Sequence, residues 1–89
     1  MADKPRAEKS IYTAEYAAVL RLLKAAREQA GLTQVDLAER LGRTQSQVSK
    51  IERGDRRLDV IELRTILRHL AVSLPRFAEQ LEGELSRTR

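Results

Sequence analysis

Two consecutive short segments of this chain each carry a helix start signal and a helix stop signal. The first segment starts at Thr33 and stops at Gly42, and the second starts at Thr44 and stops at Gly54. Each Thr is followed three positions later by an acidic or amide side chain, the pattern of a capping box. Each Gly adopts positive φ at little steric cost and therefore ends a helix readily. The sequence thus predicts two short helices joined by a tight turn.

The spacing inside these two segments predicts how the helices meet. Ala38 lies midway in the first helix, where a small side chain allows the next helix to cross closely. Gly42 follows four residues later, and Val48 follows six residues after Gly42, in position to fill the angle between the helices. Two short helices joined by a turn that contains Gly are typical of the helix-turn-helix motif. We therefore interpret residues 33–54 as this motif.

The remainder of the chain has helical rather than strand periodicity. A first helix is predicted from Thr13 or Ala14 to Ala30, a fourth opens at Asp59, and a fifth is capped by Ser73. No segment alternates apolar and polar residues over a sustained stretch, so no sheet is expected. We predict an all-α, compact five-helix domain at residues 11–83, with a flexible N-terminal arm at 1–10 and a C-terminal tail at 84–89.

Composition narrows the possible functions of the domain. The 89 residues include no Cys, which excludes disulfides and thiolate metal sites and fits an intracellular protein. No apolar run reaches the roughly 20 residues of a membrane span, so we expect a soluble, cytoplasmic protein without membrane contact. The net charge of +4 makes nucleic acid a plausible partner. An aromatic content of 3% disfavours base stacking on single strands.

The stretches Gly31–Gly42 and Thr44–Gly54 resemble the first motif and the recognition helix of the Cro and phage-repressor type helix-turn-helix family, often called XRE-like. The resemblance covers about residues 14–82. It implies a five-helix, lambda-repressor-like DNA-binding domain, with the helix-turn-helix formed by helices 2 and 3. It also implies action on DNA operators, usually as a dimer.

The third predicted helix is the candidate reader of DNA bases. Val48 and Ile51 face the core at helical spacing, which leaves a polar face on the opposite side. Gln suits the N6 and N7 atoms of adenine, Lys suits the O6 and N7 atoms of guanine, and Ser can donate or accept. A merely solvated face is the alternative, but the position directly after the turn favours base reading. The predicted base-reading residues, which also match family positions, are Gln45, Ser46, Ser49 and Lys50.

Phosphate contacts are predicted around the same helix. Gln34 begins the second helix, where backbone amides without helical partners and the helix dipole favour a phosphate. Basic side chains flank the third helix, although Asp55 interrupts them and weakens their pull on phosphates. A solvated loop is the alternative for each of these arginines. The predicted phosphate-contacting residues are Gln34, Arg43, Thr44, Arg53, Arg56 and Arg57.

An apolar stripe on the fifth predicted helix extends close to the chain end, past what a small core can cover. Exposed apolar length of this kind usually marks an interface. A two-fold dimer would place two recognition helices roughly 34 Å apart, one DNA turn. The alternative is that the last leucines fold back on the first helix. The predicted dimer interface is Leu74, Phe77, Leu81 and Leu85.

Two charged residues fall on predicted apolar faces. Arg27 continues the stripe of the first helix, and Glu52 lies on the inner edge of the third. An unpaired buried charge is costly, so we predict that the two form an ion pair, as the family resemblance also implies. The single His69, near a helix end, fits a surface residue better than a metal ligand.

We therefore expect a sequence-specific regulator of transcription that binds double-stranded DNA, acts as a repressor, and binds a palindromic operator as a homodimer. No catalytic constellation, metal site, cofactor or small-molecule effector is expected. The alternative function is a protein-interaction adaptor or an antitoxin that uses the same fold, with DNA binding secondary. A steep dependence of DNA affinity on salt would favour the first function over the second.

Overall fold

The computed structural model describes residues 13–87 and places five α-helices in that range. No strand occurs between residues 13 and 87, which confirms the predicted all-α fold. The predicted arm at residues 1–10 lies outside the described residues. No helix between residues 13 and 87 has the length and apolar character needed to cross a membrane. The helices are α1 (Ala14–Gln29), α2 (Gln34–Leu41), α3 (Gln45–Arg53), α4 (Val60–His69) and α5 (Leu74–Arg87).

Local signals set both ends of α2. The Thr33 hydroxyl accepts a hydrogen bond from the Asp36 backbone N–H at 3.0 Å. The Asp36 carboxylate accepts one from the Thr33 N–H at 2.9 Å, and these bonds lower the pKa of Asp36 below its ordinary value. Gly42 ends the helix with φ 69°, in the left-handed region. The capping box and the glycine turn predicted from the sequence are confirmed.

Helix α3 begins and ends in the same way. Thr44 accepts from the Gln47 backbone N–H at 3.1 Å, and the Gln47 side chain accepts from the Thr44 N–H at 2.9 Å. Gly54 ends α3 with φ 83°. Ala38 and Val48, which the sequence placed at the crossing of the two helices, are each only 2% exposed. The predicted helix-turn-helix is therefore present.

One core joins all five helices. It contains two residues from α1, the crossing of α2 with α3, and apolar residues from α4 and α5. Burying a large apolar side chain contributes about 1.5–3 kcal/mol, so this small set accounts for most of the stabilisation of the domain. The most deeply buried large side chains are Phe77, Leu23, Ile51, Leu67 and Val48.

The turn between α4 and α5 lacks the glycine that ends α2 and α3. Ala71 takes this role with φ 61°, a left-handed conformation that is uncommon for an L-residue with a side chain. The Val72 N–H donates to the Leu67 carbonyl at 3.1 Å, which closes the helix end. Ser73 then accepts from the Arg76 N–H at 3.2 Å and starts α5, as the sequence predicts.

The last helix continues to Arg87, beyond the predicted domain boundary at residue 83. An ion pair between Arg21 of α1 and Glu84 of α5, at 3.1 Å, holds this extension against the first helix. Leu85 lines a shallow cleft together with Ala14, Ala17 and Ala18 of α1. Residues 84–87 are thus helical and packed on α1, and residues 88–89 lie outside the described residues.

Candidate nucleic-acid interface

The polar face of α3 is open to solvent. Gln45, Ser46 and Lys50 are exposed and Ser49 is half-buried, while Val48 and Ile51 on the opposite side are buried. The structure therefore brings the four predicted base-reading residues together on one exposed helix face. Capping by Thr44 holds the start of that helix, and the Thr44 residue itself is exposed.

A buried ion pair lies beneath this helix. Arg27 Nε is 2.6 Å from Glu52 Oε2, and Arg27 Nη2 is 3.1 Å from Glu52 Oε1, so the contact is bidentate. The Arg27 Nη1 group donates to the Leu32 carbonyl at 2.8 Å. The two side chains are only 8% and 6% exposed. This confirms the predicted pair, and the third donation, to the Leu32 carbonyl, offsets part of the cost of desolvation.

The buried pair is connected to the exposed face of α3 by two glutamines. Gln34 Nε2 donates to Glu52 Oε1 at 3.0 Å, which turns the Gln34 carbonyl oxygen outwards. Gln45 Nε2 donates to that oxygen at 2.7 Å. The Gln45 amide is thereby held in one orientation, with its own oxygen and its second N–H available. A fixed amide with one donor and one acceptor is suited to the N7 and N6 atoms of adenine.

Arg53 is turned back toward its own chain. Its Nε and Nη2 atoms both donate to one oxygen of Asp55, at 3.0 and 2.8 Å, and its Nη1 atom donates to Ser49 Oγ. The pair is largely solvated, with the Arg53 and Asp55 side chains 57% and 43% exposed. The sequence predicted Arg53 as a phosphate contact, and the residue lies at the correct end of α3 for that role.

Glu62 of α4 receives two further arginines. Arg56 donates to both of its oxygens, at 3.0 and 2.8 Å, and Arg43 Nη1 donates to Oε2. Hydrogen bonds from Arg56 lower the pKa of Glu62 below its ordinary value, and the Glu62 carboxylate in turn raises the pKa of Arg56. Sequence reasoning did not select Glu62 as a site residue. Its role was missed because Arg43 and Arg56 lie 19 and 6 residues away along the chain.

The fourth predicted phosphate arginine, Arg57, lies over an aromatic ring. Its guanidinium carbon is 5.6 Å from the centroid of Tyr16. The Tyr16 hydroxyl accepts a hydrogen bond from the Leu58 N–H at 3.1 Å, which ties the loop after α3 to α1. A guanidinium that stacks on a ring keeps its N–H groups available for a phosphate. Sequence reasoning did not select Tyr16 as a site residue.

The predicted dimer interface is divided in the structure. Phe77 is only 1% exposed and forms part of the core of its own chain, so only the other three residues of the predicted interface reach solvent. Leu74 packs against that core, and Leu81 and Leu85 are half-buried. By contrast, Val60 and Ile61 in the first turn of α4 are 59% and 67% exposed, and sequence reasoning did not select them.

His69 is half-buried at the end of α4. Between residues 13 and 87, no three side chains of His, Cys, Asp or Glu are arranged to hold a metal ion. On α3, the Gln45 amide and the Lys50 cation face solvent. These groups are chemically suited to an anionic, hydrogen-bonding surface.

The helix-turn-helix and the exposed face of α3 define a DNA-binding domain, and comparison with known proteins agrees. The helix-turn-helix family model matches residues 23–77. A solved structure, the XRE-family like protein from Pseudomonas syringae pv. tomato str. DC3000, is 47% identical; the match covers 88% of this chain and 95% of that chain, with a TM-score of 0.76. No curated protein matches the chain. The chain belongs to the XRE-type helix-turn-helix family of DNA-binding transcription regulators.

Proposed function

We propose that this protein is a sequence-specific transcription repressor that binds a palindromic DNA operator as a homodimer. The observation that carries the proposal is the hydrogen-bonded chain from the buried Arg27–Glu52 pair through Gln34 to Gln45. A polar helix face that only contacts solvent gains nothing from fixing one exposed amide to a buried ion pair. A helix that reads bases does gain, because rigid placement of its side chains lowers the entropy lost on binding.

The exposed face of α3 enters the major groove in this mechanism. Gln45 contacts adenine through its fixed amide, Lys50 contacts guanine, and Ser46 and Ser49 supply smaller polar contacts. Gln34 and Thr44, at the starts of α2 and α3, lie close to the backbone amides that face phosphates. The arginines at positions 43, 53, 56 and 57 add contacts to phosphates, which position the protein without reading sequence.

Two copies bind two half-sites and block the polymerase. The predicted interface is the outer part of α5, where Leu81 and Leu85 are half-buried and Leu74 packs at the helix start. The first turn of α4, with exposed Val60 and Ile61, is the second candidate surface. Two-fold symmetry about either surface makes the operator palindromic, since each copy reads the same half-site.

Selection of bound sequences from a random duplex pool tests the proposal. The expected result is enrichment of two inverted half-sites whose centres lie about one helical turn, roughly 10 base pairs, apart. Enrichment of single half-sites would contradict the dimer. A pool that remains random after several rounds would contradict sequence-specific binding itself.

A protein-interaction adaptor, or an antitoxin with secondary DNA binding, is the second candidate function. The exposed Val60 and Ile61 favour it, because adjacent apolar side chains at a surface often mark a protein contact. Titration with random duplex DNA at two salt concentrations separates the candidates. A regulator that binds many phosphates loses affinity steeply as salt rises, whereas an adaptor shows a shallow dependence.

A further inference from the structure

Three of the four arginines assigned to phosphates already have carboxylate partners within the chain. Asp55 binds Arg53, and Glu62 binds both Arg43 and Arg56. We propose that Asp55 and Glu62 are internal competitors of the DNA backbone, which set how tightly the protein binds DNA of any sequence. The inference rests on the proposed DNA-binding function and adds two acidic residues that determine its strength.

Glu62 forms ion pairs with arginines on both sides of α3 along the chain. Arg43 precedes the N-cap of α3 and Arg56 follows its C-cap, so a single carboxylate on α4 binds both flanks of α3. Glu62 is 14% exposed, while Arg43 and Arg56 are 34% and 45% exposed. The arginines therefore reach solvent while their partner lies behind them. Together the three residues carry one net positive charge instead of two.

Asp55 occupies Arg53 in a more open setting. Both residues are about half exposed, and ion pairs of this kind contribute little because water and salt screen them. A phosphate can therefore take the place of the carboxylate. Loss of the Arg53–Asp55 pair offsets part of the binding free energy that Arg53 gains from its new contact with the phosphate.

Neutral replacements of the two carboxylates should therefore strengthen binding to every duplex. An arginine released from a carboxylate neutralises one more phosphate, which steepens the slope of log K against log salt by about 0.9. Per protomer, up to one slope increment is expected from Asp55→Asn, and up to two from Glu62→Gln. The affinity gain at low salt is about 1.5- to 5-fold for the exposed pair, the range that corresponds to the worth of a surface ion pair. The selected base sequence should not change, because phosphates carry no sequence information.

The experiment compares the full chain with Asp55→Asn, Glu62→Gln and the control Glu79→Gln. Glu79 lies exposed on α5, and among residues 13–87 it forms no ion pair. This variant therefore makes the same charge change away from the proposed DNA-binding surface around α3. Dissociation constants are measured by fluorescence anisotropy on a random duplex and on the selected operator at several salt concentrations. Thermal melts establish that each variant is folded. Asp55→Asn, at an exposed position, keeps the test valid even where Glu62→Gln is poorly folded.

Steeper slopes and tighter binding on both duplexes, relative to Glu79→Gln, support the inference. Slopes equal to that of the control overturn it, because the arginines would then have gained no phosphate. Weaker binding by the variants also overturns it, since the carboxylates would then be orienting the arginines for DNA. A wild-type chain that binds neither duplex at any salt contradicts the proposed function itself, and the inference with it.

Discussion

Two arginine–carboxylate pairs near the C-terminal end of α3 differ in burial and in what else they contact. The inner pair, Arg27 with Glu52, is less than a tenth exposed and bidentate, and it also anchors Gln34. The outer pair, Arg53 with Asp55, is about half exposed. Removal of one partner leaves a buried charge in the first case and a hydrated charge in the second. Burial therefore decides whether such a pair supports the fold or remains available to a ligand.

Substitutions that break the inner pair should have the largest effect on the stability of the fold. We expect Arg27→Met to lower the free energy of unfolding by about 3–5 kcal/mol, because Glu52 is left buried without its partner. For a domain of this size the melting temperature should fall by more than about 12 °C. Calorimetry or thermal circular dichroism measures the change.

The control for this substitution is Arg21→Met on the same helix, whose partner Glu84 forms a more exposed pair with it. Its cost should stay below about 1 kcal/mol. The double variant Arg27→Met, Glu52→Leu should recover much of the loss, since no stranded charge remains. A double-mutant cycle with no coupling between positions 27 and 52 would show that the contact does not stabilise the fold.

The second largest effect should be on DNA-sequence specificity, and it should come from the hydrogen bonds that connect the inner pair to Gln45 through Gln34. We expect Gln45→Ala to cost about 1–3 kcal/mol on the selected operator and to relax the preference at one base pair. Gln34→Ala should relax the same base pair, because Gln45 then loses its orienting partner. Competition binding with single-base operator variants measures both effects. An unchanged consensus for Gln45→Ala would remove α3 as the reader.

The pairing of Glu62 with Arg43 and Arg56 should make the stability of the fold depend on pH in the acid range. The folded-state pKa of Glu62 lies below its ordinary value of 4.5, so its contribution to stability is present above that pH and is lost as the pH falls through the lower folded value. Thermal melts from neutral pH down to about pH 3 should show a shallower decline for Glu62→Gln than for the wild type. Asp36, whose pKa is also lowered, keeps some acid sensitivity in the variant. Identical pH profiles would contradict the pairing.

The outer pair should have the smallest effect on folding. Arg53→Ala should change the free energy of unfolding by less than about 1 kcal/mol. It should weaken binding to all duplexes alike, and in the Asp55→Asn chain, where Arg53 is fully available to a phosphate, it should reduce the salt slope by about 0.9 per protomer, in contrast to the base-specific effect of Gln45→Ala. Anisotropy titrations on two unrelated duplexes measure this difference. A loss confined to the selected operator would assign Arg53 to base reading instead.

Much of the fold was predictable because its signals act over three or four residues. A Thr hydroxyl satisfies a backbone N–H three positions on, and a glycine adopts the left-handed conformation that ends a helix, so α2 and α3 follow from local patterns. The Arg27–Glu52 pair was also predictable. A charge on an apolar face needs a partner, and these two charged residues were the ones found on predicted apolar faces. The start of α4 and of α5 followed from Asp59 and Ser73 in the same way.

Tertiary packing alone decided which distant side chains meet. Glu62 receives arginines from both flanks of α3 because α4 packs against α2, near the turn that carries Arg43, and begins shortly after the loop that carries Arg56; no spacing in the chain encodes these contacts. The stripe of α5 was visible in the sequence, but only packing shows that Phe77 fills the core while the outer leucines remain half-buried. Local signals work through backbone hydrogen bonds between near neighbours. Partners across helices depend instead on interhelical distances, which are set by how the whole core fills its volume.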